Sequence, residues 1–327
     1  MENPRLTFLT PTIIAGDRSL VNVVAHELAH SWTGNLVTNA NAEHFWLNEG
    51  FTVFAERRIL EALEGAEVCA LHAALGRRSL DEAVARFDKQ PELTHLRTHL
   101  TGVDPDEAYS QVPYEKGYLF LTVIEDAVGR EAFLRFLRAY LKKFAFQSIT
   151  TDDFTALVET ELPGVLAKVD AKAWIDGPGV PANAPSPRSA KLEALEKLGG
   201  AVPTEAQGKA WTATEWQLYL ESVPKPAPLS TCEALEGRFQ LTARDNYEVL
   251  VAWLTLALAS GYQPAVARVE AVLGKVGRMK YLRPLYQALA KSAGTKALAR
   301  ACFERNKAGY HPIAQQVVEG VLKQAGA

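Results

Sequence analysis

Sulfur, long apolar runs and segregated charge are all scarce in this 327-residue sequence. Three cysteines, Cys69, Cys232 and Cys302, stand far apart without CxxC spacing, which argues against a disulfide framework and suits buried thiols of a reducing compartment. No apolar run approaches the roughly 18 residues of a membrane span. The opening MENPRLTFLTPT also lacks the basic start, apolar centre and small-residue cleavage site of a secretory signal. A cytoplasmic location without membrane insertion is therefore expected. Lys+Arg 35 against Asp+Glu 38 gives a net charge of -3, with neither sign gathered into a block, so no nucleic-acid partner is expected.

Strand patterning is scarce too. Residues 4–14, PRLTFLTPTII, alternate and are rich in β-formers, and they read as one strand between prolines. Helical spacing dominates the rest, over Leu20–Trp32, Trp46–Leu63, Glu67–Phe87, Tyr114–Val128, Glu131–Phe144 and Asp152–Glu161, with Thr150, Thr151 or Asp152 offering an N-cap for the last. A Pro- and Gly-rich stretch ending in PSPRSA cannot continue a helix. It reads as a linker over 178–190, between one domain at 1–177 and a second at 191–327. Helical stripes recur in the second domain at 246–260, 263–273, 282–292, 295–307 and 313–325, as stacked helix pairs of an α-solenoid would require. The fold class is mainly α.

The chemistry is concentrated in VVAHELAHSWTGN, Val23 to Asn35. On a helix of 3.6 residues per turn, His26 and His30 project from one face, close enough to share a cation. Two imidazoles are half of a tetrahedral zinc site. The run FWLNEGFTVFAE supplies a carboxylate, Glu49, on a second helical stretch. His26, His30 and Glu49 would hold one Zn2+ per chain and leave a fourth position to water. Glu27, next to that position without being a ligand, would be the general base. Glu56 reads equally as a carboxylate orienting a ligand or as an exposed helix residue. Trp32 and Trp46 read as core.

HELAHSWTGNLVT, HFWLNEG, the opening MEN and DPDEAYSQVPYEKG together resemble the gluzincin zinc aminopeptidases, in the branch containing leukotriene A(4) hydrolase and its bacterial aminopeptidase relatives. SITTDDF and GRMKYLRPLY extend the similarity over nearly the whole chain. The resemblance implies the helical part of a thermolysin-like zinc peptidase domain with a residual N-terminal strand, followed by the C-terminal α-helical solenoid. It implies a peptide substrate and aminopeptidase activity. Tyr114 matches the tyrosine that stabilises the tetrahedral oxyanion, although by itself it reads as a packing aromatic. Glu2 matches the glutamate that binds the substrate's α-amine, and otherwise reads as an exposed terminal residue.

Asp106 and Tyr109 match positions that guide water and line a lipid pocket in the epoxide-hydrolysing member; Asp106 reads equally as a turn carboxylate. Arg278 and Lys280 match a basic pair that receives the substrate carboxylate, and otherwise read as solvated charges. Against the family's Gly-x-Met-Glu-Asn signature the sequence opens at the methionine, so the upstream β-rich domain is expected to be missing or supplied by a partner chain. Metal binding is then expected to survive better than turnover. The alternatives to a zinc aminopeptidase are a lipid epoxide hydrolase of the same family and a catalytically silent zinc-binding or helical scaffold.

Overall fold

The computed structural model describes residues 1–292 and 294–326, apart from the side chains of Asp106 and Glu107. It divides into two compact units, residues 1–13 with 20–189 and residues 14–19 with 190–327. No helix among the described residues is long and apolar enough to cross a membrane.

The first unit is built from α1 (Val21–Ala29), α2 (Trp46–Glu64), α3 (Ala66–Arg86), α4 (Gly117–Val128), α5 (Arg130–Phe144) and α6 (Thr151–Glu161). Most of α2 is buried, because α1, α3 and α4 all pack against it. Its first residue, Trp46, is fully buried among Phe51, Phe120 and Phe154. Such aromatic clusters bury large apolar areas and favour edge and offset contacts. The start of α6 is fixed by a capping box: the Thr150 hydroxyl accepts from the Asp153 N–H, and the Asp153 side chain accepts from the Thr150 N–H. The segment between Ile175 and Ala190 has no helix or strand, but Asn183 accepts from the Trp174 indole at 3.1 Å and donates to the Val169 carbonyl at 2.9 Å.

The expected strand at 4–14 is not formed; its only regular element is a 3₁₀ turn at Pro11–Ile13. Pro4 and Pro11 offer no N–H, and the chain instead turns on itself, with the Leu6 N–H donating to Asn3 and the Phe8 N–H to Met1. The strands that do form are β1 (Val37–Asn39) and β2 (Gln147–Ile149), paired in parallel. At three residues each they are too short for alternation to show in the sequence.

In the second unit, helices Ala190–Lys197, Ala213–Ser222, Tyr247–Ala259, Met279–Lys291 and Pro312–Gln324 pack successively in one row. Glu205–Ala210 meets Leu229–Phe239, and Val266–Lys275 meets Lys296–Asn306, as two further pairs. A row of sequentially stacked helices accompanied by such pairs is the kind of packing an α-solenoid uses.

Candidate metal centre

One turn of α1 brings His26 above His30, and the first turn of α2 presents Glu49 to both. Three donor atoms converge: His26 Nε2 lies 3.2 Å from His30 Nε2 and 3.3 Å from Glu49 Oε2, and His30 Nε2 lies 3.5 Å from the same oxygen. Ligands about 2.0–2.2 Å from a tetrahedral zinc stand about 3.3–3.5 Å from one another, so this triangle has the size the ion requires. Glu49 Oε2 is buried without a hydrogen-bond partner, which a cation would satisfy. Glu49 also sits where the partial positive charge of the α2 N-terminus favours a carboxylate.

Both rings have their tautomer set from behind. His30 Nδ1 faces the Thr33 carbonyl at 3.0 Å, an atom that only accepts, so Nδ1 carries the proton and Nε2 keeps its lone pair. His26 Nδ1 lies 3.0 Å from Glu56 Oε2, an acceptor that likewise fixes a proton on Nδ1. Burial penalises a charged His26, but the Glu49 and Glu56 carboxylates beside the ring outweigh it and push its pKa up to about 10. A metal must displace the second proton of that imidazolium, the one on Nε2. Burial acts to raise the Glu56 pKa, yet the Arg57 guanidinium and His26 hold it below the ordinary range. Glu56 is 4% exposed, so of its two readings the ligand-orienting one fits.

The chain after α1 must turn tightly to bring Thr33 under His30. Gly34, at φ +112°, makes the turn; a Cβ there would lie 2.6 Å from Asn48 Oδ1 and 2.9 Å from His30 Nδ1. Thr52 Oγ1 completes the underside, 3.2 Å from His30 Nδ1 and donating to the Thr33 carbonyl at 3.0 Å.

Glu27 is mostly buried beside this centre, and its Oε2 lies 2.8 Å from the Met1 amine. Glu2, Glu27 and His30 have donor atoms within 4.8 Å of one another, so Glu2 is brought to the centre rather than left as a solvated residue. The Asn35 amide holds the Glu2 carbonyl at 2.8 Å. Tyr114 sits in a π-helical turn, Val112–Lys116, that precedes α4; the expected helix beginning at Tyr114 is regular only from Gly117. Its ring stacks on His26 with centroids 6.2 Å apart, and its hydroxyl meets that of Tyr109 at 3.2 Å. Burial and then the Glu49 carboxylate push its pKa far above the phenol range, so it stays a neutral donor.

The Asp106 side chain lies outside the described residues. Arg278 and Lys280 belong to the second unit, where Lys280 pairs with Glu248 at 2.7 Å and Arg278 Nη1 donates to the Tyr281 hydroxyl at 3.3 Å. Only Arg278 is in extended backbone; Lys280 lies in the first turn of a helix. Trp32 is 47% exposed rather than core, because it continues the outward stripe of Val24 and Leu28 at four-residue spacing. Arg57, Glu115, Thr33 and Thr52 are contributors the motif does not name. Arg57 was legible as a cation on the buried stripe of Gly50, Val53, Phe54 and Leu60, where a charge needs partners.

The sequence of 1–174 matches the model of the peptidase family M1 domain, and 211–322 matches that of the leukotriene A4 hydrolase C-terminal domain. Leucine aminopeptidase 2 of Ajellomyces capsulatus is 37% identical, the match covering 98% of this chain and 54% of that protein. Leukotriene A-4 hydrolase of Xenopus laevis is 37% identical, over 97% of this chain and 55% of that protein. The structure of yeast LTA4 hydrolase in complex with bestatin superposes with a TM-score of 0.90 at 33% identity, covering 99% of this chain and 57% of the yeast chain. The chain thus spans little more than half the length of these relatives. With the M1 domain model matching residues 1–174, more than half of its length, the chain belongs to peptidase family M1.

Proposed function

We propose that this chain supplies the metal centre of a zinc-dependent aminopeptidase that releases N-terminal residues from short peptides. The observation that carries the reading is the triangle of His26, His30 and Glu49, sized for a tetrahedral ion and bordered by Glu27 and Tyr114. When held by those three residues, zinc supplies Lewis acidity, polarising a scissile carbonyl and bringing the pKa of a water toward about 7.

The protein's own groups do the rest. Glu27 takes the proton of the attacking water and returns it to the leaving amine. The Tyr114 hydroxyl, kept neutral by burial, donates to the carbonyl oxygen as negative charge develops there. Glu2 and Glu27, close together and acidic, form an anionic corner for a substrate's α-ammonium. An endopeptide brings no cation to that corner and leaves a desolvated carboxylate uncompensated, which favours free N-termini. The names of the fungal relatives agree with this substrate class. A cytoplasmic setting is part of the same reading, supported by the three free cysteines.

Glu27→Gln tests it. The variant should bind zinc as the parent does and lose at least about 100-fold in hydrolysis of an aminoacyl arylamide. Undiminished cleavage would reject the role of Glu27. A second reading, water addition to a lipid epoxide, draws on the name of the Xenopus laevis relative. Formation of a diol from a fatty-acid epoxide, abolished by Asp106→Asn, would favour it.

A further inference from the structure

Behind the metal centre lies a buried cation that none of the proposed chemistry uses. Arg57, on α2, is 6% exposed. Its Nη1 donates to Glu56 Oε1 at 2.7 Å, and Glu56 in turn holds His26. Its Nη2 donates to Glu115 Oε1 at 3.0 Å and to the His72 carbonyl at 3.3 Å. Glu115 is the residue after Tyr114 in the π-helical turn. One planar guanidinium therefore bridges the carboxylate that orients a metal ligand and the carboxylate that anchors the segment carrying the oxyanion donor.

The room for this bridge is built into α3. A Cβ at Gly76 would lie 2.2–2.5 Å from three atoms of the Glu115 carboxyl group, so only glycine leaves Glu115 where Arg57 reaches it. The face of Arg57 is covered by the Tyr118 ring, 5.5 Å from centroid to guanidinium carbon. Lysine, a single point charge, cannot replace a fork that spans two carboxyl groups.

We propose that Arg57 is a positioning residue that couples the two sides of the centre, so that the metal ligand His26 and the Tyr114 turn are held in register through Glu56–Arg57–Glu115. This rests on the reading of His26, His30 and Glu49 as metal ligands. It implies that Glu115, whose hydrogen bond goes to Arg57, controls metal affinity. The control runs through Arg57: without Glu115, Nη2 keeps only its longer bond to the His72 carbonyl, the guanidinium turns from Glu56 more easily, and His26 loses its fixed orientation. Carboxylates that hold ligating histidines contribute about 10–100-fold to metal affinity.

The experiment measures zinc affinity by competition with a chromophoric chelator, with the Co2+ absorption spectrum as a second report on ligand geometry. Arg57→Lys and Glu115→Leu should each weaken zinc binding by about tenfold or more. Glu115→Gln should bind within about threefold of the parent, because its amide oxygen still accepts from Arg57 and burial already drives the Glu115 carboxyl toward its neutral form. Adding Glu115→Leu to Arg57→Lys should produce no further loss.

Parental affinity in Glu115→Leu, or losses that multiply in the double variant, would overturn the coupling. Should Glu115→Leu not fold, Gly76→Ala displaces the same carboxyl group from the other side, and its zinc affinity gives the answer. Failure of the parent chain to bind zinc would instead overturn the metal reading itself.

Discussion

Gly50 and Gly117 touch backbone to backbone: a Cβ built on either would lie 2.8 Å from the Cα of the other. Gly50 follows Glu49, and Gly117 opens α4 directly after the turn that carries Tyr114. Their contact therefore sets how closely those two functional side chains approach. Gly50→Ala forces the backbones apart and should cost about 1–3 kcal/mol, the usual penalty for overpacking a core. Urea unfolding would measure it; an unchanged midpoint would show that the crossing has slack.

Tyr114→Phe removes one hydroxyl and keeps the ring against His26. If that hydroxyl stabilises an oxyanion, kcat for an aminoacyl arylamide should drop by about 10²–10³, with KM changed far less, because the donor acts on charge absent from the bound ground state. A rise in KM at unchanged kcat would make Tyr114 a binding residue only. Zinc affinity should hold, since Tyr114 is not among the three converging donors.

Thr151 supports the helix that carries Glu49 without reaching the centre. Its hydroxyl is fully buried, accepts from the Trp46 indole at 3.1 Å and meets His44 Nδ1 at 3.0 Å. Thr151→Val keeps the shape but orphans the indole N–H, which should lower stability by about 1–3 kcal/mol. Thermal unfolding would report the loss while zinc titration shows unaltered affinity. A matching loss of zinc affinity would mean that the α2 N-terminus moves with its anchor.

The convergence of three donors was legible because helical periodicity alone puts His26 and His30 on one face, and because the next helix carries Glu49. What supports the triad was hidden. Thr33 reaches His30 through its backbone carbonyl, and any residue has one. Glu115 and Arg57 are 58 positions apart, and nothing local in either helix names the other. The strand expected at 4–14 failed for the opposite reason: its residues favour β structure, but a ladder needs a neighbour, and local turns claim its N–H groups. The π-helical turn at Tyr114 escaped because Pro113 starts it as readily as it would start an α-helix.

Lys116 gives the fold a pH dependence that is separate from catalysis. Its side chain is fully buried, with Nζ donating to the Thr94 and Gly177 carbonyls at 2.8 and 2.7 Å. Burial outweighs the favourable charge of Asp176 and lowers its pKa from 10.5 to about 7. Below about pH 7 the lysine is protonated in both the folded and the unfolded chain and contributes no slope. Between about 7 and 10.5 the unfolded chain binds the proton that the folded chain has released, so stability should rise with pH across that window. Lys116→Met removes the titrating group and should flatten this contribution. Urea unfolding of both proteins from pH 6.5 to 9.5 would separate the curves: the parent should gain stability relative to the variant as pH rises. Parallel profiles would show that the two carbonyls keep the ammonium charged in the interior.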